Sequence, residues 1–132
     1  MRFKNILHPI IRVFSMNAKA AEQGHYSSQY NLANMYAQGQ GTTQNYKEAL
    51  KWYKQSAEQG DSEAQYNLGV MYQNGYGTTK NYILAHMYFN ISAANGFESS
   101  INLKEIVSRE MTPLQIEEAQ RLAQEWITLH AK

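Results

Sequence analysis

The sequence predicts an all-α fold, a right-handed α–α solenoid of stacked helical hairpins that ends in a capping helix. Residues 25–60 match residues 61–96 without a gap, so the chain repeats with a period of 36 residues. Apolar residues within a unit keep the spacing of one helical face, as at Ala64, Leu68 and Met71. A dense self-match at one fixed period is typical of a stacked array of helical hairpins.

The first element is predicted as a helix from about Pro9 to Gln23, the second helix of a partial leading repeat that covers residues 9–24. Residues 21–24 read Ala-Glu-Gln-Gly, as do residues 57–60 at the end of the next unit. The alternative is a secretory signal, because basic residues precede an apolar run and a small-residue cleavage pattern ends at Ala20. That run is interrupted by His8, Pro9 and Arg12. Cleavage after Ala20 would also cut the helix, so a structural helix is expected.

Each full unit then holds a helix A, a loop and a helix B, in residues 25–60 and again in residues 61–96. Helix A is predicted to end at Gly39 or Gly75, where a left-handed cap residue is needed. Asn45 and Asn81 are the predicted N-caps of helix B, and Glu48 completes a capping box in the first unit. Small and large side chains alternate on the facing surfaces, which predicts interdigitated packing.

The closing segment, residues 97–132, is predicted as a divergent repeat followed by the cap. Residues 97–109 form a divergent helix A, and the last helix runs from Pro113 to about His130. Thr112 as N-cap and Gln115 at the third helical position make a strong helix start. All segments are expected to form one domain of residues 1–132, since this length buries a core without metal or disulfides.

The motifs of the two units resemble those of Sel1-like repeats, a family related to tetratricopeptide repeats. Residues 64–72 read Ala-Gln-Tyr-Asn-Leu-Gly-Val-Met-Tyr, residues 75–77 read Gly-Tyr-Gly, and residues 49–53 read Ala-x-x-Trp-Tyr. The chain departs from the family pattern at Ala33, where glycine is usual, and at Tyr88, where tryptophan is usual. The resemblance implies Sel1-like hairpins that bind proteins, without enzymatic activity or a cofactor. Members act as bacterial adaptors or as immunity proteins against secreted toxins, among other roles.

Composition argues against several classes of function. The chain has no cysteine, which excludes disulfide frameworks, thiolate metal sites and cysteine nucleophiles. Twelve basic residues against eleven acidic ones leave a net charge of +1, so neither nucleic acid nor a charged membrane surface is an expected partner. No stretch is long enough to insert into a bilayer. The lack of a convincing signal peptide favours the cytoplasm, with the periplasm or secretion as alternatives.

No arrangement of residues indicates catalysis or a metal site. The histidines lie in different elements without helical metal-ligand spacing, and they are His8, His25, His86 and His130. The Gly-x-Gly pairs of the loops lack the lysine and third glycine of a phosphate loop, so they are interpreted as turn glycines. Most tyrosines recur at packing positions of the repeat and no basic groove accompanies them, which argues against stacking on nucleic acid bases.

A binding surface is predicted on the concave side of the stack, which the A helices line in tetratricopeptide-like arrays. The residues of helix A that should face the groove are Tyr30, Asn31, Asn34 and Ala37 in the first unit, and Tyr66, Asn67, Val70 and Gln73 in the second. Asn31 and Asn67 have the amide chemistry to bond the backbone of an extended peptide. The alternative is that these two asparagines bond internally and meet no ligand.

The preferred hypothesis is therefore a small non-enzymatic scaffold that binds a protein or peptide partner. One alternative is self-assembly through the N-terminal helix, whose missing helix A would expose apolar residues at Ile10, Ile11, Val13 and Phe14. A second alternative is an enzyme, which would need a pocket with a strongly shifted titratable group.

Overall fold

The computed structural model describes residues 8–131, and within them every regular element is an α-helix. In chain order the helices are α1 (Pro9–Glu22), α2 (Tyr26–Gln38), α3 (Tyr46–Glu58), α4 (Ser62–Asn74), α5 (Tyr82–Ala94), α6 (Ser99–Ser108) and α7 (Pro113–His130). Helices α2 and α3 form one hairpin and α4 and α5 the next, while α1 packs on α2 and α7 packs on α5. The prediction of an all-α helical solenoid is confirmed.

The helix ends follow from the cap residues. Gly39 and Gly75 adopt left-handed backbone angles, with φ of 67° and 73°, and end α2 and α4. The side chain of Asn45 accepts a hydrogen bond from the Glu48 backbone at 3.1 Å, which caps α3. A reciprocal capping box is found at the start of α7, between Thr112 and Gln115. At α3 the described hydrogen bonds include only the first half of the predicted box, so Asn45 acts there as a simple cap.

The core runs within and between the two hairpins and is built from small residues against large ones. Ala49 and Ala85 are fully buried where the two helices of each hairpin cross, as is Leu68 on α4. Gly69 lies so close to Phe89 that an added Cβ would stand 2.4 Å from the phenylalanine ring. This contact is the interdigitated packing that the alternation of small and large residues predicted.

Successive units are also joined by buried side-chain amides. Gln29 donates to the Ala21 carbonyl and Gln65 to the Ala57 carbonyl, each at 3.1 Å, so the same bond recurs one period later. Gln65 also accepts a hydrogen bond from Asn95 at 2.9 Å. Because both glutamines are buried, these bonds satisfy polar groups that would otherwise be costly and fix the spacing of neighbouring units.

Candidate functional site

Two depressions open side by side along α2 and share Asn34 and Gln38 as part of their walls. The first has a volume of about 300 Å³ and is lined by Ile10, Val13, Asn17, Asn31, Asn34, Met35, Gln38 and Gln40. The second has a volume of about 240 Å³ and is lined by Asn34, Ala37, Gln38, Tyr46, Tyr53, Asn67, Val70, Met71 and Tyr76. We name the first the amide pocket, the second the tyrosine pocket, and the two together the α2 groove.

The tyrosine pocket is shaped by the loop between α4 and α5. Tyr76 in this loop stacks on Tyr46 at the start of α3, with ring centroids 4.9 Å apart and planes 11° from parallel. Gly77 allows the loop to lie directly against the start of α3. Its backbone is left-handed (φ 73°), and a Cβ at this position would come within 2.6 Å of the Tyr46 carbonyl oxygen. Only glycine permits this approach without strain. Tyr76 stays 41% exposed and forms an accessible aromatic wall.

The amide pocket occupies the equivalent place one period earlier. Its residues at the three tyrosine positions are not aromatic, since Ile10, Asn17 and Gln40 stand 36 residues before Tyr46, Tyr53 and Tyr76. Side-chain amides therefore dominate its lining. The α2 groove thus has an aromatic end and an amide end, and no charged side chain lines either one.

A hydrogen-bond network joins three helices beside the tyrosine pocket. The Tyr53 hydroxyl donates to Asn34 Oδ1, and the Tyr30 hydroxyl donates to Glu63 Oε2 at 3.2 Å. Asn67 Nδ2 donates to the Glu63 carbonyl at 3.0 Å and lies 3.4 Å from the Tyr30 hydroxyl. Burial raises the pKa of Tyr30 and, to a greater degree, that of Tyr53, so both phenols stay neutral near physiological pH.

The predicted groove residues divide into two groups. Those that line the α2 groove are Asn31, Asn34, Ala37, Asn67 and Val70. Tyr30 instead belongs to the hydrogen-bond network, and Gln73 is half-buried outside both pockets. Tyr66 packs its ring against Phe97 and Phe89, with centroids 5.1 Å and 6.0 Å away.

The two repeat-related asparagines have different environments. Asn31 is exposed on the wall of the amide pocket, whereas Asn67 is held by its bond to the Glu63 backbone. Asn67 thus makes an internal bond of the kind that the alternative expects, and whether either asparagine contacts a ligand stays a prediction. Sequence reasoning missed the lining tyrosines, Tyr46, Tyr53 and Tyr76, although a tyrosine between two loop glycines was a visible signal for Tyr76.

A third depression, of about 260 Å³, lies where α3, α5 and α7 end. His130 stacks on Trp126 with centroids 3.6 Å apart. Its two ring nitrogens face the Trp126 carbonyl oxygen at 2.7 Å and Glu58 Oε1 at 2.8 Å. A carbonyl and a carboxylate only accept, so both ring nitrogens donate when His130 is protonated. The pKa of His130 is raised, and the hydrogen bond to Glu58 is the largest cause.

Three further features bear on possible chemistry, and they concern metal ligands, membrane-spanning helices and a buried histidine. Within residues 8–131, no group of three or more metal-ligating side chains comes together. In the same range no helix has both the length and the apolar character needed to span a bilayer. His86 is buried on α5, its Nδ1 has no hydrogen-bond partner among the described atoms, and burial, followed by the charge of Lys104, lowers its pKa.

Comparison with known proteins matches the chain to one family of repeats. The family model described as Sel1 repeat matches residues 27–61 and 62–97. A solved structure of a protective antigen from uropathogenic Escherichia coli strains, described as having an SLR fold, superposes with a TM-score of 0.87 at 31% identity over 89% of this chain. A Sel1 repeat protein from Oxalobacter formigenes superposes with a TM-score of 0.68 at 34% identity over 70%. The chain spans 26% of the first structure and 38% of the second. No curated protein matches the chain.

Proposed function

We propose that this chain, which belongs to the Sel1 repeat family, is a non-enzymatic scaffold. It binds a partner protein through the α2 groove. Folds of this family generally mediate protein–protein interaction and are typically non-catalytic. The observation that carries the proposal is that the two pockets are adjacent along α2, since Asn34 and Gln38 line both of them. Two neighbouring depressions along one helix suit a segment of polypeptide that lies across them.

The size of the pockets supports a peptide ligand. Enclosed sites for small molecules usually have volumes of about 300–1,000 Å³, and each pocket is at or below the lower end of that range. Such a volume suits one side chain of a bound segment. Exposed amides at Asn31 and Gln38 can both donate to and accept from a peptide backbone.

The titratable groups support the absence of catalysis. Burial is the largest cause of the raised pKa in each described tyrosine whose pKa is raised, and it favours the neutral phenol. His86 lies in the core, away from the linings of the three depressions. His130 and Glu58 form a pair, but no serine or threonine lines their depression as a nucleophile. No carboxylate, imidazole, amine or guanidinium group lines the groove itself.

We propose that this scaffold acts as a bacterial adaptor or as an immunity protein against a secreted toxin. A single short groove suits one partner segment or one toxin domain. The immunity role requires a toxin gene beside the gene for this chain. It is contradicted if the purified chain neither binds nor neutralises the product of that neighbouring gene.

Site-specific photocrosslinking tests the proposal directly. Gln38, exposed on the shared wall of the α2 groove, is replaced by benzoylphenylalanine, and exposed Gln120 on α7 receives the same replacement as a matched control. We expect irradiation in cells of the source organism to capture one partner from position 38 and not from position 120. Capture from position 120 alone, or from neither, would contradict binding through the groove.

Self-assembly through α1 is a second candidate, favoured by one observation. Three apolar residues of α1 are well exposed: Ile11 at 41%, Val13 at 44% and Met16 at 69%. At the positions one and two periods after Val13, Ala49 and Ala85 are fully buried by their own helix A. Light scattering at high protein concentration distinguishes the candidates, because a monomeric chain excludes assembly through this face.

A further inference from the structure

We infer that the tyrosine pocket receives an uncharged aromatic or large apolar side chain from an extended segment of the partner protein. This inference rests on the proposed function and deepens it, because it names the chemistry of the segment that the α2 groove selects. It is carried by the aromatic lining of this pocket, by the absence of charge along the groove and by the difference between its two ends.

The lining of the tyrosine pocket is aromatic and firmly held. Tyr46 and Tyr76 present a stacked pair whose position is fixed by the close approach of Gly77 to the start of α3. Val70 and Met71 add apolar surface from α4. Aromatic rings pair favourably with other rings in stacked or edge-on arrangements and bury large areas, so such a pocket favours a ring or a large aliphatic group.

Charged side chains are disfavoured in the same pocket. No acidic or basic residue lines it, and the Tyr53 phenol is kept neutral by burial. The neighbouring carboxylate of Glu63 lies outside the lining, where it accepts a hydrogen bond from Tyr30. A charged side chain that entered would lose hydration and find no ion partner, which is costly.

The amide pocket gives the groove a direction. In the amide pocket, Asn31 and Gln40 occupy the repeat positions that Asn67 and Tyr76 occupy in the tyrosine pocket. Free carboxamides satisfy backbone N–H and C=O groups and neutral polar side chains. The bound segment therefore places its apolar anchor against α4 and its polar, uncharged residues against α1.

Oriented peptide libraries test this inference with the full chain. The probes are short fluorescein-labelled peptides with amidated C-termini, in which the central residue is fixed as Phe, Leu, Asp or Lys and the flanks are mixtures of Ser, Asn, Gln, Gly and Ala. We expect the Phe and Leu libraries to bind at least about tenfold more tightly than the Asp and Lys libraries in fluorescence anisotropy, because only the charged residues lose hydration without a partner.

Variants connect the preference to the pocket. Tyr76→Ala is expected to weaken binding of the Phe library by about tenfold, whereas Gln40→Ala, its equivalent in the amide pocket, leaves the preference for Phe intact. Val70→Asn provides a second test, because it replaces apolar surface on the α4 wall by the amide that the first unit carries at the equivalent position, Asn34. It should weaken binding of the Phe library, and thermal unfolding of the variant verifies that the chain remains folded.

Several results would overturn the inference. Equal or tighter binding of the Asp or Lys library contradicts it, and so does a preference for Phe that survives both Tyr76→Ala and Val70→Asn. A fall in anisotropy as the chain concentration rises, together with dimers in light scattering, would show that a second copy occupies the groove. If crosslinking from Gln38 captures a partner but its captured segment carries a charged anchor, the inference fails while the proposed function stands.

Discussion

The contact between Gly69 on α4 and Phe89 on α5 gives the sharpest test of how the two helices of the second hairpin pack. An alanine at position 69 would place its Cβ 2.4 Å, 2.5 Å and 2.9 Å from three ring atoms of Phe89. Phe89 is fully buried, so its ring has no solvent-facing space into which to move. Gly69→Ala therefore forces either the ring or the two helices apart.

The expected magnitude follows from two opposing terms. Alanine in place of glycine within a helix stabilises by about 1 kcal/mol. Overpacking a well-filled core costs about 1–3 kcal/mol, and three contacts below 3.0 Å place this substitution toward the upper end. We expect Gly69→Ala to lower the free energy of unfolding by about 1–2 kcal/mol, the difference between these terms.

Urea unfolding followed by circular dichroism measures the effect. The first unit carries Ala33 at the equivalent position, so Ala33→Gly is the matched control. It should destabilise through helix propensity and lost contact alone, by about 1 kcal/mol. Combining Gly69→Ala with Phe89→Leu should cost at least about 1 kcal/mol less than the sum of the single changes, since the smaller side chain relieves the clash. A Gly69→Ala chain that is more stable than the parent would refute the packing argument.

Three further predictions concern the loop, the unit junction and the closing helix. Gly77→Ala should lower the unfolding free energy by about 2 kcal/mol more than Gly60→Ala, since both glycines have positive φ but only the Cβ at position 77 meets backbone; differential scanning calorimetry of both variants would show equal losses if this is wrong. Gln65→Ala should cost about 2–3 kcal/mol in urea unfolding, because it removes one buried and one partly buried hydrogen bond and leaves a void. A loss no greater than that of an exposed glutamine replaced by alanine would contradict this role. The raised pKa of His130 adds stability that is complete below the unfolded pKa of about 6.5 and is lost as pH rises through the folded pKa. His130→Gln should therefore lower the unfolding free energy by up to about 1 kcal/mol at acidic pH and by little at pH about 9. A loss of unfolding free energy that is the same at both pH values would show that the pair with Glu58 is not its cause.

Helix positions were predictable because the period repeats local signals. The glycines and N-cap asparagines recur in both units, so their roles could be checked against each other within one sequence. The predicted start of the last helix at Pro113 and its end near His130 match α7. Its capping box is a local pattern that needs no tertiary context.

The groove was only partly predictable, because its lining depends on contacts between units. Tyr46 and Tyr76 belong to different units and meet only after the loop of the second folds onto α3. Tyr66 was expected in the groove, but it lines neither pocket and its ring packs against Phe97 of the divergent segment. The two full units carry Asp61 and His25 at the equivalent position, so the repeat could not predict this contact. The division into a partial leading repeat, two full repeats and a closing segment stays a prediction.

The bond between His130 and Glu58 joins residues that are 72 positions apart, which is two full periods. In a stack where each unit contacts only its neighbours, a further unit could be inserted between two others without changing the contacts at either end of the stack. Here the last helix reaches past α5 to the end of α3. An extra unit between them would carry the two residues out of reach, so this bond forms only when a single full unit, α4 with α5, separates α3 from the closing segment.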